Sequence, residues 1–135
     1  MWTCPKVLLA TDDEMQFLAL QKLLLEYATM DCAASLIELR YCLESDTYDV
    51  VLCAWSFHAG WNKVVHSVHQ QVPELPVIVL SRTGGEAEWS EVLRAGAFDL
   101  VAGPFRERSM LAAVEQAAAS YRARSLRDLT PEKVS

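Results

Sequence analysis

"DVVLCAWSFHAGW", Asp49 to Trp61, is the stretch from which the fold is read. Val50, Val51, Leu52 and Cys53 make an unbroken apolar run. Such a run suits a strand covered on both faces, as in a parallel sheet. In open parallel sheets, ligands and chemistry gather outside the carboxyl ends of the strands. Here the strand delivers Ala54, Trp55, Ser56 and Phe57, with no ionisable group until His58. The strand belongs to an architecture whose site it does not equip.

Working outward, apolar runs also occur at 7–10, 77–80 and 100–102, with a weaker one at 30–34. Helical periods lie between them. Phe17, Leu20, Leu24 and Tyr27 form one stripe, and Trp61, Val64, Val65 and Val68 follow the i, i+3, i+4, i+7 pattern. Residues 36–43 and 87–93 supply two more helices. Leu111, Val114, Ala118 and Tyr121 mark a last one, whose end is left open beyond Arg124. Strand and helix thus alternate five times, which predicts an α/β three-layer sandwich around a parallel sheet. Right-handed crossovers leave few topologies, and the doubly wound, flavodoxin-like order 2-1-3-4-5 leads. Its switch point lies between strands 1 and 3, so "TDDE" (Thr11 to Glu14) and the strand ending at Ala54 border the expected site.

The chain has 135 residues, of which 52% are hydrophobic, enough for one domain with a real core. Residues 1–124 read as that domain, and the polar segment 125–135 as a tail or the start of a linker. The net charge of −6 argues against nucleic acid as a main partner, and the acidity is local. Residues 1–50 hold nine acids against three bases, whereas the remainder balances nine against nine. Cys4, Cys32, Cys42 and Cys53 show no CxxC spacing and read as buried free thiols of a reducing compartment. No run approaches the ~20 apolar residues of a membrane span, and nothing resembles a signal peptide. The expectation is a cytoplasmic protein without membrane contact.

"KVLLATDDE", "YDVVLCAWSF", "LPVIVLS" and "GAFDLVAGPF" occur in this order. In order and spacing they resemble receiver domains of bacterial two-component response regulators, over about residues 5–122. The resemblance implies two acids after strand 1 that hold Mg²⁺, and an Asp ending strand 3 that accepts a phosphoryl group. It further implies a hydroxyl residue ending strand 4, an aromatic in strand 5, and a Lys before the following Pro. Carried over, the acidic pair falls on Thr11 and Asp12, with Asp13 next. The acceptor falls on Ala54, the hydroxyl on Ser81, the aromatic on Leu100 and the Lys on Gly103; His58 replaces a loop Pro. The sequence thus resembles a receiver domain with its phosphorylation chemistry removed.

The residues support this independently. Aspartyl phosphorylation needs a carboxylate nucleophile, a metal and usually a nearby cation. Ala54 supplies no nucleophile and Gly103 no ammonium, so no catalytic residue is assigned. Asp12 and Asp13 either form a weak residual cation site or serve as a helix N-cap with acids set against the dipole. Trp55 reads as a packing residue, and Ser56 lacks a base to make it a substitute acceptor. His66 and His69 read as a solvated face without a third ligand, and "TGGE" (Thr83 to Glu86) as a flexible loop.

The functional expectation is a non-enzymatic, phosphorylation-independent protein-interaction module without cofactor. Its partner would be a signalling kinase, an output domain or a second copy. Arg106, Arg108 and Arg122 on the fifth helix, opposite in charge to the N-terminal third, are the candidate contact residues. The alternatives are a small-molecule-binding flavodoxin-like domain and a receiver phosphorylated at a non-standard residue. "TDDEMQ" would repel the phosphate that the first alternative requires.

Overall fold

The structure, a computed structural model, describes residues 4–82 and 84–129, with side chains described up to Arg124. Five strands alternate with five helices: β1 (Lys6–Ala10), α1 (Glu14–Leu23), β2 (Thr29–Ala33), α2 (Leu36–Ser45), β3 (Val50–Ala54), α3 (Trp61–Gln71), β4 (Val77–Ser81), α4 (Glu86–Arg94), β5 (Asp99–Ala102) and α5 (Glu107–Leu129). The strands are parallel and lie in the order β2-β1-β3-β4-β5, as expected.

Period-two alternation in the central strands divides the core into two. Val51 and Cys53 of β3 face one side, and Val50 and Leu52 the other. The first side receives Leu39 and Leu43 of α2, Val64, Val65 and Val68 of α3, and Val92 of α4. The second receives Leu20 of α1 with Met110, Val114, Ala117 and Ala118 of α5. Every residue of β3 and β4 is buried, which explains why these strands are apolar throughout. Each fully buried valine or leucine contributes roughly 1.5–3 kcal/mol of transfer free energy, so the two cores outweigh any surface ion pair.

Helix starts follow their caps. Ser35 accepts from the Glu38 N–H at 3.2 Å while Glu38 accepts from the Ala34 N–H at 2.8 Å, a reciprocal cap for α2. Helix α1 is shorter than its stripe predicts: Leu24 is its C-cap, and the Tyr27 and Ala28 N–H groups both return to the Leu24 carbonyl in a turn. Helix α5 begins at Glu107, so Arg106 precedes it, and it continues to Leu129, into the segment read as a tail. Residues 130–135 and Thr83 lie outside the described residues.

Two expectations need correction. Of the four thiols only Cys53 is buried; Cys32 and Cys42 are half-buried and Cys4 is exposed, though all are free. Cys32 lies on β2, which pairs only with β1 and so forms a sheet edge, and Cys42 lies on α2. His66 is exposed as expected, but His69 is half-buried and packs against Gly96, whose positive φ of 107° opens the turn after α4.

Candidate functional site

Parallel register brings the carboxyl ends of four strands to one rim. Ala10 pairs with Cys53, Ala54 with Leu80, and Ser81 with Ala102. The ladder extends a little further: the Trp55 N–H donates to the Leu80 carbonyl at 2.8 Å, and the Gly103 N–H to the Ser81 carbonyl at 2.7 Å. The predicted residues Thr11, Asp12, Asp13, Ala54, Ser81 and Gly103 therefore share this rim, but they do not share one cavity. Asp13 and Ser81 line a cleft of about 420 Å³ with Gln16, Trp55, Glu88 and Phe105. Thr11 and Asp12 face a neighbouring hollow of about 290 Å³ beside Phe17 and Cys32. Ala54 is sealed at 1% exposure.

The polar groups of the rim are engaged with one another. Thr11 is buried; its hydroxyl donates to Gln16 Oε1 at 2.8 Å and accepts from the Asp13 N–H at 3.1 Å. Asp13 caps α1, its Oδ1 accepting from the Met15 and Gln16 N–H groups at 3.0 and 3.3 Å. Asp12 Oδ2 lies 2.6 Å from His58 Nδ1, and since a carboxylate only accepts, the ring N–H is the donor. This bond holds the Asp12 carboxyl below its ordinary range. Ser81 donates to Glu88 Oε1 at 2.8 Å. Among the described residues, every buried side-chain polar atom has a partner.

This geometry bears on the chemistry of a cation site. A hard divalent ion takes six or more oxygens in close array. Asp13 is committed to its cap and Asp12 to His58, and the described residues contain no group of three or more His, Cys, Asp or Glu able to surround one point. The donor set does not fit Mg²⁺.

Trp55 packs as expected: it stacks on Trp61 with ring centroids 5.4 Å apart and covers part of the first core. Ser56 is exposed. Sequence reasoning missed His58 as the partner of Asp12, Gln16 as the partner of Thr11, and Glu88 as the partner of Ser81. For Gln16 a signal was present, because a residue two or three positions past an N-cap faces back across the cap. Glu88 stands at the third position of α4, where glutamate often reaches back past the helix start, but that pattern does not name Ser81 as its partner. The Asp12–His58 pairing joins two loops with no local pattern to announce it.

Of the candidate arginines, Arg106 and Arg108 are exposed. Arg122 is half-buried, and its guanidinium donates to both Asp49 oxygens at 3.3 and 3.2 Å.

Strand order, helix placement and rim together give this chain the receiver-domain fold of two-component response regulators. No family model and no curated protein matches the sequence. Among solved structures, it is similar to the signal receiver domain of an HD domain-containing protein from Pseudomonas fluorescens Pf-5. That likeness has a TM-score of 0.82 and 22% identity, covering 94% of this chain and 96% of that one. It is also similar to the receiver domain of NtrC4, solved as a beryllofluoride-activated dimer (TM-score 0.77, 21% identity, 86% of this chain and 98% of that one). A chain described as the adenylate cyclase from Rhodopirellula baltica matches with a TM-score of 0.81 and 17% identity over 93% of this chain and 96% of that one. Among the described residues, no helix is long and apolar enough to cross a membrane.

Proposed function

We propose that this domain is a signalling module of receiver fold that binds a protein partner without phosphate control and performs no catalysis of its own. The observation that carries the reading is Ala54, which closes β3 with a sealed methyl group where aspartyl chemistry would need a carboxylate. Gly103 supplies no cation, and the carboxylates nearest the rim are bound to their own chain. The vestigial site in this reading is the rim formed by Thr11, Asp12, Asp13, Ala54, Ser81 and Gly103, whose hydroxyls and carboxylates are engaged in internal hydrogen bonds.

The partner surface in this proposal is the start of α5, where Arg106 and Arg108 are exposed. Arg122 serves the fold through Asp49, so it contributes to the contact only indirectly. The acidic N-terminal third of a second copy offers the charge that these arginines require, and a kinase or an output domain would need an acidic surface to bind here. The dimer formed by the NtrC4 receiver domain lends support to self-association on this fold.

The test is incubation with acetyl phosphate and Mg²⁺, read by intact mass. The wild-type domain gains no phosphate. Ala54→Asp alone stays unmodified, because the pocket still lacks a metal ligand and the cation. Combining it with Thr11→Asp and Gly103→Lys completes the set and yields detectable phosphorylation. A side chain fits at residue 103, where an added Cβ would meet only ordinary contacts at 3.7–3.8 Å. Stoichiometric phosphate on the wild type, at whatever residue, overturns the proposal.

A further inference from the structure

We propose that Glu88 is a built-in anionic ligand that clasps Gly84 and the start of α4 to the end of β4. Its Oε1 accepts from the Ser81 hydroxyl at 2.8 Å and from the Gly84 N–H at 3.1 Å. The same Gly84 N–H reaches Ser81 Oγ at 3.1 Å, so strand end, loop and helix start meet in a closed triangle. Charge-assisted hydrogen bonds of this kind are the stronger sort, and two of them converge on a half-buried carboxylate.

Glu88 is the third residue of α4, a position where glutamate often reaches back to the N-cap amide. The N-cap here is Gly85, which has no side chain to offer. Glu88 reaches past it to Gly84 and to the last residue of β4, so it anchors the loop as well as the helix start. A second contact fixes the loop independently. Gly84 has φ +59°, and a Cβ built there would come within 2.3 Å of the Ala102 Cβ, so the loop lies directly against the end of β5. From α4, Trp89 Nε1 donates to Asp99 Oδ1 of β5 at 3.2 Å, and the α4–β5 surface is thereby set together with the loop.

The inference deepens the phosphorylation-independent reading and rests on it for its meaning: an internal carboxylate holds the rim where no phosphoryl group arrives. The experiment is NMR-detected amide hydrogen exchange at Gly84 in the intact chain. Glu88→Ala and Ser81→Ala each accelerate Gly84 exchange by about tenfold, the scale expected for losing such a bond in a local opening. The double variant accelerates it no further than either single one, because both remove one unit. Glu86→Gln, which removes an equal charge from the same helical turn, changes it by less than about twofold. Glu88→Gln, which keeps an acceptor oxygen, decides the matter if Glu88→Ala does not fold; it accelerates Gly84 about threefold while Val51 and Ile78 exchange as in the wild type. Unchanged Gly84 exchange in these variants, or equal acceleration by Glu86→Gln, overturns the clasp. Acetyl phosphate treatment of the same samples separates the two ideas. Phosphate on the wild type with Glu88-dependent Gly84 exchange removes the phosphorylation-independent reading and leaves the clasp. No phosphate with Glu88-independent exchange does the reverse.

Discussion

At the amino ends of the strands, Asp49 accepts from the Lys6 N–H at 2.8 Å and from Arg122 of α5, joining residues 43 and 73 positions away. Nearby, the Tyr48 hydroxyl donates to Asp31 of β2 at 2.7 Å, and Lys6 pairs with Asp46. At the carboxyl ends, Asp12 pairs with His58 and Ser81 with Glu88, each tying a strand end to an adjacent loop or helix start. The lower network holds the order of the sheet, since it links β1, β2, β3 and α5 across the fold. The upper one holds only the loops on top of a sheet that is already made. The most exposed pair is at the upper end, where the His58 side chain is 64% exposed against 21% for Asp49, although Ser81 at the same end is buried. Replacing exposed side chains at the upper end is therefore expected to cost the sheet less than replacing Asp49 at the lower end.

Breaking the lower end gives the largest effect. Asp49→Ala strands the Lys6 N–H and the Arg122 guanidinium together, and lowers unfolding free energy by about 1–3 kcal/mol in a urea titration. Arg122→Glu, which sets like charge against Asp49, falls in the same range. If both variants unfold at the wild-type midpoint, the lower network does not hold the sheet.

At the upper end, Asp12→Asn or His58→Ala costs less than about 1 kcal/mol, because the pair is exposed to solvent. Its contribution depends on pH in a stated direction. A carboxyl held below its ordinary range stabilises the fold above the unfolded value of about 3.9, and that stability disappears as pH falls through the lower folded value. The gap between wild type and Asp12→Asn therefore closes on acidification below about pH 4. A gap that widens on acidification contradicts the assignment.

The smallest change in stability, within about 0.5 kcal/mol, comes from Arg106→Glu and Arg108→Glu. Their effect is on association instead. Partner capture or self-association weakens with these reversals and with added salt, as expected when screening acts over about 8 Å at physiological ionic strength. Capture indifferent to both places the contact on another surface.

The sheet was legible in the sequence almost throughout, because β3 and β4 are buried on both faces and must be apolar at every position. The strand boundaries shifted by one residue where polar ends such as Lys6, Thr29 and Ser81 still join the ladder. The end of α1 was less legible: Leu24 is buried and keeps the helical stripe, yet its backbone already turns. For the rim, that Ala54 and Gly103 carry neither carboxylate nor ammonium could be read directly, since a residue type needs no geometry. The hydrogen bonds made around them could not. The partners of Asp12 and Ser81 are chosen by how the loops close, and Arg122 meets Asp49 only after four crossovers have been made.

The stacked pair Trp55 and Trp61 spans the turn that follows β3, with ring planes inclined by 28°. Two indoles with centroids 5.4 Å apart couple their strong electronic transitions, and the expected signature is a pair of far-ultraviolet circular dichroism bands of opposite sign. The domain thus carries its own optical gauge of this turn. A partner that displaces Trp55 from Trp61 collapses the couplet, and docking at the rim can be watched on the unlabelled protein.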